Sequence, residues 1–342
     1  MRIRIEGLLV LGLISSVHGH HSFDYHFSRD IGVKIEGNVK EFRFINPHSR
    51  ILIDVTEKNG EIVTWDCEMA GSNTLARRGW HKELFQPGQS IEITGFGHRR
   101  VNTECSFGTA VLEDGTRITL NESRLAGSEE KTQSGSASGP PRPADQPNFS
   151  RVWQRRGGGG MGPQLGGPNR NAWVLSEAGR NTLEDYDPVT DDPALQCSPV
   201  SIARLWGTGD LTEIRQEKDH VTIHHEWMDT TRVVYLDKKS HPENSEEYVL
   251  GHSIGWYEDS VLVIDTKGYA AGMLQQHPGL PHSNQLHTVE HLSLDDDGLG
   301  FEVNWTADDS EYFTDQLSGS RSLEASDGEM KKYNCTYPET AH

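Results

Sequence analysis

The first part of the chain alternates apolar and polar positions with the two-residue period of half-buried β-strands. Ile51, Ile53 and Val55 lie on one face of such a segment, and an Asn59-Gly60 pair then predicts a hairpin turn. A short helix capped near residue 72 follows the third strand. Three strands, a helix and two strands predict a small OB-like β-barrel, with a simple β-sandwich as the alternative. The predicted strands cover residues 33–44, 50–57, 62–69, 91–95 and 110–120.

The second part of the chain is almost wholly strand-like after residue 200, with turn residues between the segments. The pattern predicts a larger antiparallel β-barrel of lipocalin-like type, or a strongly curved sheet, so the fold class is mainly β. Barrels of this size can hold one small ligand. The predicted strands cover residues 212–216, 221–227, 232–236, 253–257, 261–267, 287–294 and 299–306.

A segment rich in glycine, proline and serine separates the two patterns at residues 126–171. Such a composition buries too little apolar area to offset its ordering entropy, so we predict a flexible linker. The predicted domains are then residues 20–125 and 172–338. Residues 149–153 are the exception, since they are expected to add to a neighbouring domain as a first strand.

Residues 1–19 have the pattern of a secretory signal peptide. Arg2 and Arg4 precede a short apolar run, and Val17 and Gly19 occupy the positions before a cleavage site. The run is too short for a stable transmembrane helix, and no later segment is apolar enough to cross a membrane. We therefore expect a soluble periplasmic or secreted protein without a membrane span.

Charge and cysteine content agree with export. The 342 residues carry 51 acidic and 32 basic side chains, for a net charge of −19, which argues against nucleic-acid binding.

Four cysteines in an oxidising compartment predict two disulfides. Because two cysteines precede the linker and two follow it, the favoured pairs are Cys67–Cys105 and Cys197–Cys335, although four cysteines allow three pairings.

Histidines supply the first candidate site. Cleavage after Gly19 makes His20 the first residue, and its amine and ring nitrogens can both bind one metal ion. A third nitrogen, from His48 or His26, would complete the tetragonal coordination that Cu(II) favours. Copper or zinc is thus the possible cofactor, and the alternative is a polar tail whose Phe23 packs on the barrel.

A second candidate site lies in the C-terminal domain, where His252, Asp265, His282 and His287 are the predicted catalytic residues. Together they provide a histidine–carboxylate pair for acid–base chemistry or a metal site of two or three histidines. On the strand at 287–294, the period of two places His287 on the face opposite Glu290. The alternative is that these histidines are ordinary surface or hydrogen-bonding residues.

Aromatic residues are the third signal. Most of them are expected to pack in the core or at the barrel ends, and the alternative is a lining for an apolar or carbohydrate-like ligand. The predicted ligand-binding residues are Trp227, Trp256, Tyr269 and Glu290.

Several motifs carry a family resemblance. The N-terminal motifs are His20-His21-Ser22-Phe23, Phe44-Ile45-Asn46-Pro47-His48, Trp65-Asp66-Cys67-Glu68 and Arg77-Arg78-Gly79-Trp80. With them the chain resembles exported bacterial proteins of the DUF6152 group, whose function is unknown. The later motifs resemble a domain often joined to that group; they are Asp192-Pro193-Ala194-Leu195-Gln196-Cys197, Gly251-His252-Ser253 and Leu280-Pro281-His282-Ser283. The resemblance implies export and a two-part layout, and it implies no activity.

Three functions follow from these patterns. The favoured one is an exported accessory protein that binds a small molecule or a metal at the mouth of the C-terminal barrel. The second is an enzyme (a hydrolase, lyase or isomerase), which needs at least two of the candidate catalytic side chains within hydrogen-bond reach in a concave pocket. The third is a copper protein organised on His20. No protein partner is predicted.

Overall fold

The computed structural model describes residues 23–120, 146–156, 174–187, 190–199, 202–242, 247–275 and 279–336. The fold is mainly β, as the alternation predicts. A six-stranded sheet occupies the first part of the chain and a closed nine-stranded barrel the second, with a two-stranded hairpin beside the barrel.

The first sheet follows a helical turn, α1 (Phe23–His26), and has the strand order β3-β2-β1-β4-β5-β6. The parallel pairing of β3 with β5 curls this sheet back on itself, as a small OB-like barrel requires. Its interior is filled by alternate strand residues such as Ile51, Ile53 and Ile93. The elements are β1 (Phe27–Arg43), β2 (Arg50–Thr56), β3 (Ile62–Glu68), α2 (Ser72–Arg77), β4 (Ser90–His98), β5 (Glu104–Leu112) and β6 (Arg117–Thr119).

The barrel has the cyclic strand order β10-β11-β12-β15-β16-β17-β7-β8-β9. Its first strand in the chain, β7 (Arg151–Arg155), pairs with β8 and β17, which confirms the strand expected at residues 149–153. The other strands are β8 (Thr212–Gln216), β9 (His220–His225), β10 (Thr230–Tyr235), β11 (His252–Glu258), β12 (Val261–Lys267), β15 (His287–Leu294), β16 (Gly300–Asp308) and β17 (Leu317–Ala325).

Shorter elements cover the barrel. They are α3 (Glu177–Asp185), α4 (Ile202–Leu205), the hairpin of β13 (Gly272–Gln275) with β14 (Leu280–His282), and two 3₁₀ turns, Pro193–Gln196 and Trp227–Asp229. None of the helices in the described residues is long and apolar enough to span a bilayer.

One pairing in the barrel differs from the predicted antiparallel arrangement. Strands β10 and β11 run parallel, with Val234 opposite Ser253. Parallel neighbours need a long connection between them, and the chain between Tyr235 and His252 supplies it. The strand pattern alone predicted a meander because it does not record the relative direction of neighbouring strands.

The barrel interior is filled with side chains. Trp153, Trp206, Phe301 and Trp305 join the inward residues of the strands in one buried cluster. Trp206 follows α4 and enters this cluster from outside the strand pattern. Among the described residues, the interior is therefore packed like an ordinary hydrophobic core.

A charged pair is buried inside this core. Arg232 donates from Nη1 and Nη2 to the carboxylate of Glu290 at 2.6 and 2.8 Å. Their side chains are 3% and 0% exposed. The indole Nε1 of Trp206 also donates to Glu290. Because removing either charge would leave the other desolvated, the pair makes the packing of three elements interdependent.

Both predicted disulfides are present. Cys67–Cys105 joins the parallel strands β3 and β5, whose Cα atoms lie 4.4 Å apart there. Cys197–Cys335 closes 138 residues of the second part of the chain. Contacts also join the two parts: Asn46 Nδ2 donates to the carbonyl of Tyr333 at 2.6 Å, and Arg77 pairs with the buried Glu226.

We predict that Glu290→Gln destabilises the protein by about 3–5 kcal/mol, because Arg232 then keeps a buried charge without its counter-ion. Glu302→Gln is the matched control, since Glu302 is exposed on the adjacent β16, and it should cost about 0.5 kcal/mol or less. Urea unfolding of the two variants measures the difference. Equal costs for both would contradict the role assigned to the buried pair.

Candidate functional site

Three of the four predicted catalytic residues converge on the outer face of the barrel. On β12, Leu262, Ile264 and Thr266 are buried inside, so the alternation turns Asp265 outward. By the same period, His287 projects outward on β15 while Thr288 and Glu290 point in, as the sequence predicted. His252 begins β11 on the other side of β12.

The carboxylate of Asp265 is the centre of this cluster. Its Oδ2 accepts from His287 Nε2 at 2.9 Å, and its Oδ1 accepts from His241 Nε2 at 2.7 Å. The side chains of His241, Asp265 and His287 are 16%, 19% and 31% exposed. One carboxylate therefore orients two imidazole rings that solvent still reaches.

His241 extends the cluster to a third ring. Its Nδ1 lies 2.9 Å from Nδ1 of His252, whose ring stacks on Tyr235 at a centroid distance of 5.3 Å and an angle of 17°. The result is a chain of four side chains, His252–His241–Asp265–His287, which we call the histidine–aspartate chain.

The protonation of this chain follows from its hydrogen bonds. Burial acts to raise the pKa of Asp265, but hydrogen bonds from His287 and His241 outweigh it and hold that pKa below the ordinary value. The ionised carboxylate can only accept, so His241 carries its proton on Nε2. A neutral His241 then accepts at Nδ1 from His252, which leaves the lone pair of His252 on Nε2.

His252 is neutral over most of the physiological range. Burial lowers its pKa, and the neighbouring His241 lowers it further. Because its Nδ1 faces His241, Nε2 is the ring nitrogen that would meet a substrate. A neutral, oriented imidazole of this kind is suited to accept a proton.

Sequence reasoning did not select His241. It lies before Pro242 in the connection between β10 and β11, where no strand period assigns it a direction. In the folded chain this connection brings His241 within hydrogen-bond reach of Asp265. The one available signal is that His241 comes shortly before β11 and β12, the two strands that carry the candidates His252 and Asp265.

His282 lies elsewhere. It ends β14 and is 3% exposed, with its ring 5.7 Å from that of Tyr269 and its Nδ1 3.0 Å from the carbonyl oxygen of Ser283. The neighbouring Ser283 is held by Asp309. None of its described contacts reaches Asp265, so His282 does not join the histidine–aspartate chain.

The four predicted ligand-binding residues are dispersed. Tyr269 and Glu290 are buried in the barrel core, and Trp227 packs beside Tyr333 in a smaller cluster. Trp256 is 37% exposed and lines an open groove of about 760 Å³. The groove's charged lining residues are Lys218 and Asp259.

Of the proposed metal ligands, His48 and the alternative His26 lie in the described part of the chain. The ring of His26 lies 5.8 Å from that of His98. His48 lies between β1 and β2 of the first sheet. Its Nδ1 is 3.3 Å from Glu68 Oε1, next to Arg50, which donates to Asp66 at 2.8 Å. His20 lies outside the described residues. Within those residues, no three histidine, cysteine, aspartate or glutamate side chains are placed to hold a metal ion.

Comparison with known proteins concerns the first part of the chain. Residues 9–107 match the family DUF6152, a family of unknown function. The DUF6152 match covers His48 and both cysteines of the first sheet, and it ends before the barrel. A search of the curated proteins finds no match. The histidine–aspartate chain therefore lies outside the matched segment.

We predict that the ring protons of His252 titrate below the ordinary pKa of 6.5. Because folding disfavours its charged form, the unfolded chain takes up this proton first, and stability falls as the pH drops below about 6.5. Nuclear magnetic resonance titration, assigned with His252→Gln, measures the pKa. His252→Gln should also lose this part of the pH dependence, and a His252 pKa above 6.5 would contradict the assignment.

Proposed function

We propose that the barrel is a general acid–base catalyst for a small polar substrate, working outside the cytoplasm. The observation that supports it is the bonding of Asp265 to His241 at 2.7 Å and to His287 at 2.9 Å. Two of the predicted catalytic side chains, Asp265 and His287, thus lie within hydrogen-bond reach, as an enzyme of this kind requires. A hydrolase, lyase or isomerase would use the same two steps, one proton removed and one delivered.

His252 is assigned the role of base. Its Nε2 takes the substrate proton, while its Nδ1–H faces the Nδ1 of His241 at 2.9 Å. Transfer of that second proton places the positive charge on His241, directly against the carboxylate of Asp265. The chain thus moves the charge from a half-buried ring to one stabilised by an anion, which favours proton removal.

His287 is assigned the role of acid. Its Nε2–H is held by Asp265, so Nδ1 is the ring nitrogen that would deliver a proton to a leaving oxygen. Asp265 would then act on both sides of the reaction, as the group that orients base and acid alike. It does not itself exchange a proton with the substrate.

Export is part of the proposal. The signal-like residues 1–19 and the two disulfides support a periplasmic or secreted protein. The mass of the protein recovered from the periplasm should correspond to a chain beginning at His20.

The test uses that processed protein on a panel of small esters, lactones, hydroxy acids and aldoses. Asp265→Asn should lower kcat/KM at least about 100-fold, because it removes the acceptor that orients both rings. His291→Ala is the matched control, since His291 is exposed on the same face of β15, and it should retain activity. An active protein whose Asp265→Asn variant is equally active would refute the catalytic assignment.

A second candidate function is ligand binding at the groove beside Trp256. It is supported by the exposed indole in a cavity of about 760 Å³ with Lys218 and Asp259 on its wall. In the same panel, compounds that quench tryptophan fluorescence without being converted would favour binding. Trp256→Phe should then abolish the quenching, whereas Asp265→Asn should leave it unchanged.

A further inference from the structure

The groove beside Trp256 joins parts of the chain that are far apart in sequence. Two hairpin turns and the segment before β7 line it, and they contribute the polar side chains of Lys218, Asp259, Ser260 and Gln146. Its volume of about 760 Å³ lies in the range of sites that hold an organic ligand of one to a few rings. The groove is therefore large enough for a ligand that contacts both an aromatic and a polar wall.

The indole of Trp256 is the aromatic wall. It is 37% exposed, and its Nε1–H donates to Oε1 of Glu258 at 2.6 Å. Trp256 and Glu258 are two positions apart on β11, so the strand period places both on the same face of the sheet. The hydrogen bond fixes the polar edge of the indole, and the ring face is the surface that the groove offers to a ligand.

A tight turn sets part of the polar wall. Glu258 pairs with Val261, so Asp259 and Ser260 are the two residues of the turn between β11 and β12. Asp259 adopts the left-handed backbone conformation, with a φ of 51°, which aspartate tolerates better than most residues. The turn thus presents a carboxylate and a hydroxyl group side by side at the groove.

The polar groups of the groove are complementary to hydroxyl groups. The ammonium group of Lys218 only donates hydrogen bonds and the ionised carboxylate of Asp259 only accepts them, whereas Gln146 and Ser260 can do both. A hydroxyl group is donor and acceptor at once, so it can pair with any of these side chains. The two charged residues in the lining have opposite signs, which favours a ligand without net charge.

We propose that this groove binds a neutral carbohydrate, with one sugar ring stacked on Trp256. The inference rests on ligand binding at the groove, the second candidate function, and names the class of ligand. The face of an indole carries partial negative charge, which attracts the weakly positive C–H groups on the flat side of a sugar ring. The hydroxyl groups of the sugar then meet the polar wall, which an apolar ligand would desolvate without compensating hydrogen bonds.

The test is isothermal titration calorimetry of the processed protein with neutral trisaccharides of glucose, mannose, galactose and N-acetylglucosamine. At least one should bind with a Kd of about 1 mM or lower. Trp256→Ala should weaken that binding at least about tenfold, because the stacking surface is lost. Val233→Ala is the matched control, since Val233 is a similarly exposed apolar residue of the adjacent β10, and it should bind like the wild type.

The polar wall gives a second readout. Lys218 and Asp259 are exposed turn residues, so Lys218→Met and Asp259→Asn should fold like the wild type. Each should weaken the binding of the sugar about threefold or more, because each removes a hydrogen bond or its charge. Tighter binding by Asp259→Asn would indicate an anionic ligand and would overturn the proposal.

Further probes separate this inference from the functions on which it builds. Asp265→Asn should bind the sugar with wild-type affinity, since His252 and Trp256 lie about 13 Å apart along β11 at the usual strand rise. If no trisaccharide binds, or if Trp256→Ala leaves the binding unchanged, the carbohydrate proposal is overturned. Binding of benzoate or cyclohexanol that depends on Trp256 would then keep the groove as a ligand site, and its absence would remove the second candidate function as well.

Discussion

The buried ion pair of Arg232 and Glu290 is the constraint on which the barrel depends. A bidentate pair almost fully removed from solvent is costly to bury, and the indole of Trp206 adds a further hydrogen bond to Glu290. Trp206 comes from the segment after α4, so this segment must enter the barrel to make that bond. Once it has entered, the interior is occupied by side chains, and the histidine–aspartate chain lies on the outer face.

On the same strands, the two-residue period also determines which side chains point outward. Thr266 and Thr288 turn into the core, and their neighbours Asp265 and His287 therefore turn out. The two outward residues meet because β12 and β15 are adjacent and antiparallel. His241 then comes over them from the connection that makes β10 and β11 parallel. The site is thus a consequence of strand register together with one unusual crossover.

Much of this arrangement could be predicted from the sequence. The two-residue period located most strands and separated His287 from Glu290, and the position of the linker gave both disulfide pairs. These features depend on local spacing, which the sequence records directly.

The remainder depends on long-range packing. Whether the barrel is hollow or filled is decided by Trp206, which belongs to no strand, and the inward positions of Tyr269 and Glu290 were equally compatible with a ligand pocket and with a core. His241 was missed because a loop residue has no period to orient it.

The most direct test of the central claim is the tautomeric state of the histidines, read from long-range proton–nitrogen correlations at pH 8. The account predicts that His241 and His287 carry their protons on Nε2, facing Asp265, and that His252 carries its proton on Nδ1 with a free lone pair on Nε2. A His252 protonated on Nε2 would contradict the account, because the base would then point its lone pair at His241 instead of at a substrate.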